Sequence, residues 1–333
     1  MSAELIAVLA VIMAAMVFDY TNGFHDAANA IATSVSTRAL TPRIALLMAA
    51  AGNFIGTHFG GSVAKTVSGI ISVPPSVAGL GVVFAAVLGA IAWNLITWYF
   101  GLPSSSSHAL IGGLVGAALI AGYSVHWNAI VEKVVIPMVA SPFVGFVAGF
   151  LFMVALMWTF RRGKPAKLNR GFRHAQTVSA AAMSIGHGLQ DAAKTIGVIV
   201  LALYVGGYQS TTDHIPPWAY WTSATVLALG TYAGGWRIIR TLGRKIIDLG
   251  PPEGFAAETV ASTLLFVFGI GLGAPISTTH TITSAIMGVG ATKKLSAVRW
   301  GVAGNIVGAW ILTFPGAGLI AAICYFITRP MFS

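Results

Sequence analysis

Two aspartates lie deep in apolar sequence. Asp26 falls in Asn22-Gly23-Phe24-His25-Asp26-Ala27-Ala28-Asn29-Ala30-Ile31, and Asp191 in His187-Gly188-Leu189-Gln190-Asp191-Ala192-Ala193-Lys194-Thr195-Ile196. A charged side chain at the centre of a bilayer costs roughly 2.5–3.5 kcal/mol on insertion scales. A carboxylate there is expected to hold a cation, carry a proton or pair with another charge. The two stretches share Gly, Asp, Ala, Ala and Ile in register, 165 residues apart. Asn22 and Asn29 offer amide oxygens to a cation or N–H groups to an anion, or hydrogen-bond between helices. In the second stretch His187 stands where the first has Asn22, and Lys194 where it has Asn29. A titratable ring at His187 can move protons. An intramembrane lysine at 194 can pair with Asp191, bind an anion or take the place of a bound cation.

A second pair of motifs follows in the same order. Gly101-Leu102-Pro103-Ser104-Ser105-Ser106-Ser107-His108 matches Gly273-Ala274-Pro275-Ile276-Ser277-Thr278-Thr279-His280, 172 residues later. Each sits where one apolar run breaks and another begins. Ser and Thr favour helix N-caps, and a helix start with exposed N–H groups and a favourable dipole is an anion site. Ser104–Ser107 and Ser277–Thr279 are therefore the candidate anion-binding residues. His108 and His280 can serve as ligands, proton carriers or cap partners. No nucleotide-binding loop, metal-hydrolase signature or nucleophile elbow is present, so an enzyme is not expected.

The elements that position these groups must span a membrane. Of 333 residues, 56% are hydrophobic and 8% charged, against about 25% charged in a soluble domain. Mean hydropathy is +0.82. The apolar stretches are continuous rather than alternating, which argues against a β-barrel. The one cysteine, Cys324, excludes an internal disulfide and a thiolate metal cluster. Apolar segments run roughly over 4–36, 43–60, 78–100, 103–122 and 134–160, then over 175–206, 217–236, 253–272, 275–292 and 300–327. Since about 20 residues cross the hydrocarbon, 4–36 and 175–206 are too long for one straight span. With polar residues at their middles, both are expected to be broken helices. The Gly- and Pro-punctuated stretches 61–74 and 240–252 are expected to be interfacial or re-entrant.

The net charge of +10 sits in short loops. That is a membrane-orientation pattern, and nucleic acid is not an expected partner. Arg161, Arg162, Lys164, Lys167, Arg170 and Arg173 form a basic segment without an acid, while 122–132 and 204–216 carry no basic residue. The positive-inside rule then gives ten crossings with both chain ends outside, and Met-Ser-Ala-Glu opens the first span rather than a signal peptide. The expected division is a first repeat over 1–160, a basic cytoplasmic loop over 161–174 and a second repeat over 175–333. Arg38 and Arg43 follow the first acidic motif, but Lys293 and Lys294 follow the second Ser/Thr motif. The copies therefore face opposite ways. The fold expected is all-α and polytopic, two inverted repeats of about five transmembrane helices, with broken or re-entrant helices at the site.

Taken together, the two Asp motifs, the two Pro-Ser/Thr-His motifs and the stretch from Gly235-Trp236-Arg237 to Glu258 resemble the Pit-type inorganic phosphate transporters, across nearly the whole chain. The resemblance implies a secondary symporter, usually a homodimer in the cell membrane, binding phosphate and coupling ions between its repeats and needing no cofactor. Substrate binding would fall to Ser104–Ser107, Ser277, Thr278, Thr279 and Lys194. Coupling ions would fall to Asp26, Asn29, Asn22, Asp191 and His187. Sodium-coupled members carry an Asn-type signature in both halves; here His187 and Lys194 occupy the second, which favours the proton, with sodium as the alternative. Sulfate, and phosphate complexed with a divalent metal, are the alternative substrates the family implies.

Overall fold

The computed structural model describes residues 2–332. Its first half runs α1 (Ala3–Ser36), α2 (Pro42–Thr57), α3 (Gly61–Ser68), β1 (Ile71–Ser72), α4 (Val77–Phe100), α5 (Ser106–Ala121), β2 (Ser124–Val125), α6 (Trp127–Ile130) and α7 (Ile136–Thr159). A π-helical turn joins α6 to α7. The second half runs α8 (Pro165–Val205), α9 (Pro217–Ala233), α10 (Trp236–Arg240), α11 (Pro251–Phe266), α12 (Thr278–Ala291) and α13 (Trp300–Thr328). Among the described residues the only sheet is the antiparallel pair β1–β2.

Every apolar segment is helical, but not every one is a full span. Among the described residues six helices are long and apolar enough to cross a membrane, and α2 with α3, bent by 70°, makes a seventh. Helix α5 has 16 residues and α12 has 14. At 1.5 Å per residue these reach about 24 and about 21 Å, short of a ~30 Å hydrocarbon core. They are the short arms of two hairpins, α4–α5 and α11–α12.

The breaks expected within 4–36 and 175–206 are absent. Helices α1 and α8 are continuous over 34 and 41 residues. Asp26, Asn29, His187 and Lys194, near their middles, are buried against other helices and find partners there, so the backbone has no reason to open. Helix α8 also takes in most of the segment 161–174, leaving only its first residues as a loop. The chain turns instead at 58–60, between α2 and α3, and at the hairpin tips 101–105 and 272–277. Gly101 (φ +65°) and Gly273 (φ +59°) hold left-handed backbone at those tips, a conformation that costs glycine nothing.

The two halves obey a twofold relation visible in single contacts. Thr66 Oγ1 donates to Gly273 O at 2.7 Å, and its counterpart Thr241 Oγ1 to Gly101 O at 2.9 Å. A Cβ on Gly56 would lie 2.0 Å from Ile185 O, and one on Gly230 would lie 2.3 Å from Tyr20 O. Helices α2 and α9 therefore each press backbone to backbone on the long helix of the opposite repeat, as small residues allow in membranes. Likewise α5 packs on α13, and α12 on α7.

One face of the bundle carries the start of α1, the end of α8 and the start of α4, tied by Ser76 N to Val205 O at 3.0 Å, together with Phe332 against Gly81. Arg329 and the Lys65–Asp213 pair also lie on this face, but the opposite face gathers most of the basic residues. There Lys293 meets Glu253 at 2.6 Å and Arg299 meets Asp248 at 3.0 Å.

Candidate functional site

The hairpin tips aim the short arms α5 and α12 at the middle of α1 and α8. Ser105 Oγ accepts from His108 N at 3.2 Å, and Ser277 Oγ from His280 N at 3.1 Å. Both are thus N-caps whose oxygens are already engaged. The caps set the first turns, and the residues beside them reach the acidic centre.

Asp26 is held from three elements. Ser106 Oγ donates to its Oδ2 at 2.6 Å, Thr279 Oγ1 to its Oδ1 at 3.3 Å, and His25 Nδ1 lies 2.7 Å from Oδ1. His25 in turn reaches Thr97 Oγ1 at 3.0 Å, and Ser104 Oγ donates to that threonine at 2.8 Å. Asn29 Nδ2 donates to Thr278 Oγ1 at 3.1 Å and Thr279 Oγ1 at 2.8 Å. The first acidic motif therefore contacts both hairpins.

Asp191 is held by Lys194 and faces His187. Lys194 Nζ lies 2.6 Å from its Oδ1, and His187 Nε2 lies 2.7 Å from Oδ2. Lys194 also donates to Ser106 Oγ at 2.7 Å. His187 Nδ1 sits 2.9 Å from Asn53 Oδ1, and Asn53 Nδ2 donates to Thr231 Oγ1 at 2.7 Å. All of these side chains are buried. Asp26, His187 and Asp191 each present a ligand atom within 4.8 Å of the others, so the two acids belong to one centre. With two carboxylates, one lysine and hydroxyls from both helix starts, it can hold an anion and a small cation or proton side by side.

The remaining sequence candidates are placed as follows. Ser107 Oγ donates to Ile276 O at 3.4 Å, tying one hairpin to the other. His108 and His280 pack edge to face at 4.9 Å, and His280 stacks on Trp310 at 3.9 Å. Among the described residues their ring nitrogens have no hydrogen-bond partner, and neither amide atom of Asn22 nor Asn29 Oδ1 has one. Buried polar atoms of this kind normally find a partner in protein, water or ligand.

Several site residues are not evident from the motifs. His25 and Thr97 shape the Asp26 side, and Asn53 with Thr231 supports His187. Outside this centre, the fully buried acids Asp19 and Glu258 lie on α1 and α11. For Asp19 the signal was there: Asp19, Asn22, Asp26, Asn29 and Thr33 recur every three or four residues, which is one face of a helix.

Known proteins place this architecture. The profile of the phosphate transporter family matches residues 22–169 and again 160–321. The chain is 50% identical to a "Probable low-affinity inorganic phosphate transporter" of Rhizobium meliloti, over 95% of this chain and 94% of that one. It is 42% identical to a protein of the same description from Bacillus subtilis, over 98% and 99%. It superposes on a solved "sodium-dependent phosphate transporter" with a TM-score of 0.88 at 25% identity, covering 97% of this chain and 99% of that one. The fold is that of a multi-pass transporter. The chain belongs to the phosphate transporter family.

Proposed function

We propose that this protein imports inorganic phosphate across the cell membrane by proton symport, working as a homodimer with its basic face in the cytoplasm. The observation that carries the reading is the meeting of two capped helix starts from opposite repeats over one charged centre. Ser106 on α5 and Thr279 on α12 both donate to Asp26, and Lys194 lies 2.7 Å from Ser106. A tetrahedral oxyanion arriving there finds hydroxyl donors from both hairpins and one fixed positive charge. Phosphate carries its own exchangeable proton, for which Asp26 or Asp191 is the acceptor. Sulfate has the same shape without that proton, which is why phosphate is preferred in this reading.

Coupling follows from charge. Carrying a dianion inward against an inside-negative potential costs about 2.3 kcal/mol per charge per 100 mV, so at least two positive charges must accompany phosphate. In the second repeat Lys194 already supplies a fixed cation beside Asp191, which repels sodium but leaves His187, Asp191 and phosphate itself as proton carriers. Sodium is the second reading. The related solved structure is described as sodium-dependent, and Asn29 Oδ1, close to Asp26, has no partner. Uptake of labelled phosphate and of labelled sulfate into proteoliposomes, under separate proton and sodium gradients, tests both substrate and ion.

A further inference from the structure

The twofold relation between the repeats makes its exceptions informative. Asp19 on α1 corresponds to Ser184 on α8, by the same 165-residue offset that relates Asp26 to Asp191. Glu258 on α11 corresponds to Ala86 on α4, by the 172-residue offset of the hairpins. Each half thus carries a fully buried acid that its inverted copy lacks. Alternation between two mirrored states does not need them, so their retention in apolar surroundings, where a charge is costly, calls for another role.

Their positions are complementary. Asp19 precedes Asp26 on α1 by seven residues, two turns or about 10 Å along the helix, toward the face holding the chain ends. Thr33 follows Asp26 by the same seven residues toward the basic face, and its Oγ1 donates to Glu258 Oε1 at 2.5 Å. The two acids therefore stand on opposite sides of the centre, joined by the polar stripe Asp19, Asn22, Asp26, Asn29 and Thr33 on one face of α1.

Neither acid has a salt-bridge partner among the described residues. Asp19 Oδ2 accepts from Ser223 Oγ at 2.6 Å, and its Oδ1 has no hydrogen-bond partner. Thr195 lies beside it, and Lys194 and Asp191 on α8 are the charged groups that act on it. Glu258 accepts from Thr33, from Ser179 Oγ at 2.5 Å and from Gln176 Nε2 at 3.1 Å. With the backbone N–H of Ser34, these are its neighbours, and none is charged. An intramembrane carboxyl met by neutral donors, in line with a transport centre, is the arrangement of a proton relay.

We propose that Asp19 and Glu258 are the outer and inner stations of the path that brings protons to and from the Asp26–Asp191 centre. At Asp19 an O–H bond forms with a proton from the outer water and breaks as that proton passes to an imidazole or carboxylate of the centre. At Glu258 an O–H bond forms with a proton leaving the centre and breaks on release to the inner water. The proton gradient supplies the proton, and no electrons move. This inference rests on the proton-symport reading above.

The test separates net transport from exchange in proteoliposomes, using labelled phosphate. Net uptake requires each proton to be released and reloaded, whereas exchange of internal for external phosphate does not. Asp19→Asn and Glu258→Gln should each lower proton-driven net uptake about a hundredfold, the usual scale for removing a proton-transfer group, while exchange continues. Asp19→Glu and Glu258→Asp should restore net uptake. Retained proton-driven accumulation in either neutral variant overturns the two-station path. So does loss of exchange along with uptake in a variant whose thermal unfolding is unchanged, since the acid then serves the binding site. A wild type indifferent to the proton gradient would instead remove the symport reading itself. A responsive wild type with unaffected variants would remove the relay alone.

Discussion

Asp26 and Lys194, from opposite repeats, share one hydroxyl: Ser106 Oγ donates to Asp26 at 2.6 Å and accepts from Lys194 at 2.7 Å. The first turn of α5 thus joins the acid of one repeat to the lysine of the other. Any ligand that draws Ser106 away must rearrange both charges, and in the proposed symport this contact is the direct route from substrate binding to coupling.

Ser106→Ala is expected to raise the apparent KM for phosphate and weaken coupling together. It removes the hydroxyl that would donate to the anion, and one hydrogen bond to a charged group contributes roughly 1.5–3 kcal/mol, so a fall in kcat/KM of about ten- to a hundredfold is the scale. Concentration-dependent uptake by the purified variant measures it.

Asp26→Asn and Asp191→Asn should abolish accumulation against a gradient while leaving the fold in place, because the amide keeps the shape and most hydrogen bonds of the carboxylate. Accumulation assays paired with thermal unfolding in detergent separate the two effects. If both variants still concentrate phosphate, these acids do not couple.

Lys194→Asn recreates in the second repeat the residue that Asn29 supplies in the first. Without the fixed cation, Asp191 becomes available to a small metal ion. The variant should lose proton-driven uptake and become sensitive to sodium, read by replacing sodium with choline at fixed pH.

Gly56→Ala and Gly230→Ala should lower the unfolding temperature. The added methyl would fall 2.0 Å from Ile185 O and 2.3 Å from Tyr20 O, and overpacking of this kind costs about 1–3 kcal/mol. Gly171→Ala is the control, since a Cβ there meets nothing within 4 Å.

Much of this organisation was legible in the sequence. The paired motifs and the loop charges disclose an inverted repeat, and the Pro-Ser/Thr-His stretches mark the hairpin arms. Continuity of α1 and α8 was not legible, because Asp26 and His187 read as interruptions until their partners are known. Pairing across the repeats supplies those partners: Thr279 comes to Asp26, and Asn53 to His187. Span counting from hydropathy likewise cannot tell a short hairpin arm such as α12 from a crossing, since both are apolar. His25 was obscured by its neighbour Asp26, whose charge draws the eye to a single residue. Glu258 reaches its partners Thr33, Gln176 and Ser179 only through the packing of α11 on α1 and α8.

The most direct test of the account is phosphate uptake into proteoliposomes containing only this protein, with an imposed inward proton gradient and no sodium on either side. The account predicts accumulation that grows with the proton gradient and is unchanged when sodium, potassium or choline is the added cation. A strict requirement for sodium at fixed pH would contradict it, and would place that ion at Asp26 and Asn29 despite Lys194.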